Sequence, residues 1–142
     1  MEDTAHQDRK DQLRAELAEH TMYELLGGED GIRSIVDRFY GLMDRDEAYA
    51  PIRSMHQADL SAIRQGLFEY LSGWLGGPQL FLERKGSPCI ASAHAPFHID
   101  AEGARLWVRC MDAAMAEAGV PLRYAEALLP ALAGMSNMLR SA

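Results

Sequence analysis

The chain contains five histidines, and the setting of one of them restricts where it can point. His94 stands in Ala93-His94-Ala95-Pro96-Phe97, and Pro96 disfavours helical geometry at Ala95, so His94 should lie in the last turn of a short helix. A neutral imidazole held that way can ligate a metal such as haem iron, while its second nitrogen donates to a backbone carbonyl. On spacing alone, a structural histidine is the better reading. Tyr40 and Trp107 fall on apolar helical faces, where core packing is the ordinary role for an aromatic. By the same ordinary reading His56 is a solvated loop residue. His6 and His20 belong to a charged leader and carry no specific role. Cys89 and Cys110 have no metal-type spacing; one bridge or two thiols would fit, and the usual burial of cysteine favours thiols.

These residues must be positioned by helices. Asp8 to His20 is rich in helix formers, with Leu13 and Leu17 as a thin apolar stripe, and a short Met22–Leu26 segment ends at Gly27-Gly28. From Asp30 onward Ile32, Ile35, Val36, Phe39, Tyr40 and Met43 recur on one helical face. Pro51 should close a short turn, and Asp59 should cap a helix carrying Leu60, Ile63, Leu67, Tyr70, Leu71 and Trp74, which Gly76-Gly77-Pro78 stops. Two more helices are predicted, about Ala101 to Ala118 and about Pro121 to Arg140, the second bent or broken at Pro130. No alternating strand pattern is present, so the class is all-α.

One stretch resists a plain bundle. Between Leu75 and Asp100, Gly76, Gly77, Pro78, Gly86, Pro88 and Pro96 forbid a long regular helix. Helices separated by so much irregular backbone could fill their centre with a large apolar cofactor instead of side chains. At 142 residues the chain suits one domain with a real core, and 48% hydrophobic with 25% charged residues is ordinary for a soluble globular protein. A net charge of −7 argues against nucleic acid and anionic membrane as partners. The charged N-terminus lacks the apolar run of a signal peptide, which points to a cytoplasmic location.

From Tyr23 to about Met115 the chain resembles a group II truncated hemoglobin. The resemblance is carried by Leu26-Gly27-Gly28, Val36-Asp37-Arg38-Phe39-Tyr40, Met55-His56-Gln57-Ala58-Asp59-Leu60, Trp74-Leu75-Gly76-Gly77-Pro78, His94-Ala95-Pro96-Phe97 and Trp107-Val108-Arg109-Cys110-Met111, in matching order and spacing. It implies a truncated globin fold, a two-over-two helical sandwich around one haem b (iron protoporphyrin IX), over residues 21–142, to which the helix-forming residues 1–20 add a charged N-terminal helical extension. It also implies His94 as the proximal iron ligand. The distal donors then fall on Tyr40, His56 and Trp107, with Ile63 at the usual distal-histidine position and Leu67 one turn later. Leu67, Tyr70, Phe81, Phe97, Ile99 and Trp107 would line the cofactor, and His98 would sit at the surface or the haem edge. Four features depart from the family pattern: Phe81 replaces a common tyrosine, the leader before Tyr23 is longer than the family minimum, and two cationic motifs are absent. The histidine usual after the glycine at Gly86 and the Arg-x-Arg run before the proximal histidine are missing, which leaves Arg84 and Lys85 as candidate partners for the haem propionates.

The function so implied is binding of oxygen, carbon monoxide or nitric oxide, for oxygen storage or for redox chemistry such as nitric oxide dioxygenation or peroxide turnover with an unidentified reductase. Whether the chain is an enzyme stays open at this stage, as does a monomeric or homodimeric state. The competing class is a globin-shaped interaction or sensor module without haem, suggested by the missing propionate partners. The retention of His94, Tyr40 and Trp107 together argues against it. An ordinary helical bundle is the remotest reading.

Overall fold

Thr21 opens the first tightly specified corner of the chain. Its hydroxyl accepts from the Glu24 amide, and the Glu24 carboxylate accepts from the Thr21 amide at 3.0 Å, a reciprocal capping box. The computed structural model describes residues 2–56, 58–85 and 100–138. Helix α1 spans Glu2–Leu17, starting before the expected Asp8 and ending short of His20, because the chain must leave helical geometry ahead of the Thr21 cap. Helix α2 (Met22–Leu25) is a single turn. Gly27 (φ 103°) and Gly28 then turn the backbone through left-handed geometry into α3, Gly28–Arg45. All six apolar positions expected on the inner face of α3 are buried.

A 3-10 turn at Glu47–Tyr49 leads into α4 (Ala50–Arg53). Pro51 does not close a turn here. It lies in the first turn of α4, where its missing N–H has no intrahelical partner to lose. Helix α5 runs Ser61–Trp74, with Asp59 accepting from the Ser61 amide at 2.9 Å just ahead of it. Beyond Gly76 (φ 94°) the irregular stretch contains a short helix, α6 (Leu80–Lys85). Helix α7 is Ala101–Glu117, capped by the Asp100 carboxylate on the Gly103 amide, and α8 is Leu122–Met138. Pro130 lies inside α8 and does not break it. No strand occurs among the described residues.

The architecture is a two-over-two sandwich in which α3 packs on α5 and on α7, while α7 packs on α8. The core lies between these pairs, with Phe39, Ile32, Met43, Met111, Met115 and Cys110 sealed from solvent. Cys110 is a free thiol, and its Sγ donates to the Phe39 carbonyl at 3.3 Å. Burial pushes it up to about 12, far from thiolate chemistry.

The extra helix is fastened mainly by charge. Leu13 is buried, but Leu17, expected on the same stripe, is 44% exposed. The Glu16 carboxylate takes both Arg123 Nε (2.6 Å) and the Tyr124 hydroxyl (2.5 Å), while Glu126 takes Arg9 and His6. His6 therefore has a specific role after all, as part of the contact that docks α1 on α8.

Candidate functional site

The three residues singled out as donors come from three places in the chain. Tyr40 sits on the inner face of α3, and His56 follows the end of α4, its amide bonded back to the Arg53 carbonyl at 3.0 Å. Trp107 projects from α7. The Tyr40 ring meets the Phe39 ring edge-on at 4.9 Å and the His56 ring at 6.0 Å, and Phe39 meets Trp107 at 5.4 Å. Tyr40 and Trp107 thus both meet the buried Phe39 ring, with His56 against Tyr40, although 67 residues of sequence separate Tyr40 from Trp107. Half-buried, His56 is not the solvated loop residue of the ordinary reading.

Burial decides the protonation of Tyr40. Only 3% of the residue is exposed, and desolvation pushes its phenol above the ordinary tyrosine range, so it stays a donor. Among the described residues Tyr40 and Trp107 make ring contacts but no hydrogen bond through the hydroxyl or the indole nitrogen. The tautomer of His56 is set differently. Its Nδ1 lies 2.7 Å from the Ile52 carbonyl oxygen, which can only accept, so Nδ1 carries the proton. In the neutral ring Nε2 then offers a lone pair, and it donates only as imidazolium. The role implied for His56 as a donor is narrowed to that form.

Helix α5 presents two apolar faces. Phe68, Leu71 and the C-cap residue Leu75 enter the core, whereas Ile63, Leu67, Tyr70 and Trp74, spaced by four, three and four residues, form a half-buried stripe. Phe81 of α6 folds onto that stripe, its ring edge-on to Tyr70 at 5.6 Å. Ser72 holds the corner between α5 and α6. Its hydroxyl donates to the Pro78 carbonyl at 2.8 Å, and the Gly77 amide bonds to the Ser72 carbonyl. Gly77 is required because a Cβ there would lie 2.5 Å from the Tyr23 ring. Arg84, one of the two cations proposed for propionates, is bound instead by the buried Glu69 carboxylate at 2.5 Å. His94, Phe97, Ile99, His98 and Cys89 lie outside the described residues.

Sequence reasoning missed Arg53. Its guanidinium meets Asp44 of α3 at 2.5 Å and reaches the His56 and Ala58 carbonyls at 3.5 and 3.2 Å. No periodicity signals a pair nine residues apart across a turn.

Fold and described residues together define a small all-helical globin of the two-over-two type, with a buried phenol, an indole and a half-buried apolar stripe of α5 among its helices. The bacterial-like globin family matches residues 21–141, and the chain belongs to that family. It is 33% identical over 98 residues to the group 2 truncated hemoglobin YjbI of Bacillus subtilis, covering 69% of this chain and 71% of that protein. Its fold superposes with a TM-score of 0.83 on the cold-adapted truncated hemoglobin of the Antarctic marine bacterium Pseudoalteromonas haloplanktis TAC125, at 37% identity over 87% of this chain and 99% of that one. With the group II 2-on-2 hemoglobin of Agrobacterium tumefaciens the TM-score is 0.82 at 30% identity, over 86% and 95% of the two chains. Membership of this family makes haem the cofactor. The described residues fit it: the half-buried stripe of α5 matches an apolar macrocycle, and a buried phenol and an indole without acceptors among the described residues remain for a polar group.

Proposed function

We propose that this protein binds oxygen and related diatomic molecules at a haem held by His94, and retains them. The observation that carries the reading is that Tyr40 and Trp107, two donors without acceptors among the described residues, both pack against the buried Phe39 ring. The chemistry supplied with haem is reversible binding of oxygen, carbon monoxide or nitric oxide at iron.

The chain's own residues do the rest. His94 supplies the imidazole for the metal. Leu67, Tyr70, Phe81, Phe97, Ile99 and Trp107 cover the apolar faces of the cofactor. Ile63 and Leu67 keep water from the ligand side, which raises the worth of each donor there. The Tyr40 hydroxyl and the Trp107 indole N–H donate to a ligand that has gained negative charge, a contribution of a few kcal/mol in a site preorganised for it. Slow release follows, which favours storage, sensing or redox use over delivery. The same donor set would assist nitric oxide dioxygenation or peroxide cleavage with a reductase. The ion pair with Glu69 already engages Arg84, which leaves Lys85 as the other cation proposed for the propionates.

The absorption spectrum of the protein reconstituted with hemin, recorded ferric, ferrous and under carbon monoxide, tests the reading. A Soret band that moves with reduction and again with carbon monoxide is expected. Failure to take up stoichiometric haem would overturn it in favour of a haem-free interaction or sensor module.

A further inference from the structure

Helix α4 is one turn long and cannot hold itself together. Ile52 and Tyr49 anchor its apolar side in the core, but His56 lies beyond its end, where the backbone has left the helix. What ties this segment to the rest of the pocket is Arg53. The guanidinium offers donors in a rigid planar fork, and here they reach three separate places: the Asp44 carboxylate on α3, the His56 carbonyl and the Ala58 carbonyl. Asp44 stands one helical turn after Tyr40 on α3, exposed where Tyr40 is buried. The clip therefore sets the His56 segment against the part of α3 that carries Tyr40.

We propose that Arg53 is a positioning residue of the distal pocket. Through Asp44 it holds His56 in register with Tyr40, and it keeps the imidazole beneath the Ile52 carbonyl so that Nδ1 stays protonated and Nε2 keeps its lone pair. The proposal rests on the reading of His56 as a pocket residue and adds the device that determines its tautomer. A plain surface ion pair between Asp44 and Arg53 would contribute little and would leave the pocket untouched. The two carbonyl contacts are what set this pair apart, since a lysine could meet Asp44 as a point charge but could not bridge to both carbonyls at once.

The test uses the full chain with haem and carbon monoxide, in wild type and in Arg53→Met, Arg53→Lys, Asp44→Asn and His56→Phe. Two quantities are read: the nitrogen NMR signals of His56, which report its tautomer, and the C–O stretching frequency, which reports donors near the ligand. Arg53→Met is expected to move His56 toward the Nε2–H tautomer, shift the C–O stretch and change oxygen dissociation by about three- to tenfold, the effect of one hydrogen bond. Arg53→Lys should restore only part of each. If Arg53→Met fails to fold, Asp44→Asn cuts the anchor alone and is read the same way.

Wild-type tautomer and C–O stretch in Arg53→Met, with only the melting temperature lowered, would overturn the proposal. A silent His56→Phe would instead remove His56 from the ligand side, and with it the consequence drawn for the C–O stretch. Should no haem complex form, the tautomer of His56 in the haem-free chain still decides whether Arg53 positions it.

Discussion

The Arg123 guanidinium grips the Glu16 carboxylate with two nitrogens, Nε at 2.6 Å and Nη2 at 3.0 Å, and so fastens α1 to α8 across the surface of the globin body. Together with the Tyr124 hydroxyl it holds the Glu16 carboxyl down at about 2. A carboxylate with a depressed folded pKa contributes stability above its unfolded pKa and loses it as the pH falls through the folded one.

Docking of α1 should therefore weaken between the ordinary glutamate range and pH about 2. Hydrogen exchange of Glu2–Leu17 measured across that window checks this. Glu126 acts in the same direction, lowered by Arg9 first and by His6. Glu16→Gln should raise exchange in α1 at neutral pH while exchange in α3 and α7 stays as in wild type. Because both contacts are partly exposed, added salt should act likewise. Unchanged protection of α1 in Glu16→Gln would mean that Leu13 and the Glu126 pairs with Arg9 and His6 hold the helix without Glu16.

Gly31 faces the α2–α3 corner, where an added Cβ would fall 1.8 Å from the Leu26 carbonyl oxygen. Backbone cannot swing aside as a flexible side chain can. Gly31→Ala should destabilise the protein by about 2–3 kcal/mol, read as a lowered urea midpoint at constant slope.

Cys110 should resist alkylation in the folded protein. It is sealed in the core and its thiol is raised to about 12, so neither access nor thiolate is available at pH 8. In a Cys89→Ser background, thiol titration should find no reactive group until denaturant is added. Rapid labelling of the native chain would show that the α3–α7 contact opens readily.

His94→Ala should abolish tight haem binding while leaving a helical chain. Trp107→Phe and Tyr40→Phe should each speed oxygen dissociation about tenfold or more, since each removes one donor to a charged ligand in a site of low polarity. Stopped-flow displacement by carbon monoxide measures both. An unchanged rate in Trp107→Phe would remove the indole from the donor set.

The order of helices, the inner face of α3 and the apolar positions of α5 and α7 were legible in the sequence because a 3.6-residue period follows from local geometry and records which side of a helix is buried. The residues carrying the group II resemblance were legible too, since their order and spacing are linear quantities. Tertiary structure alone decided what each side chain meets. Periodicity cannot tell that α5 turns Phe68 and Leu71 into the core and leaves Ile63, Leu67, Tyr70 and Trp74 half-covered, because both faces are apolar. Nor can it show that the Ile52 carbonyl takes the Nδ1 proton of His56, that Asp44 catches Arg53, or that Glu69 occupies Arg84. Hydrogen bonds and ion pairs act over about 3 Å in space, at whatever sequence separation the packing of the helices brings together.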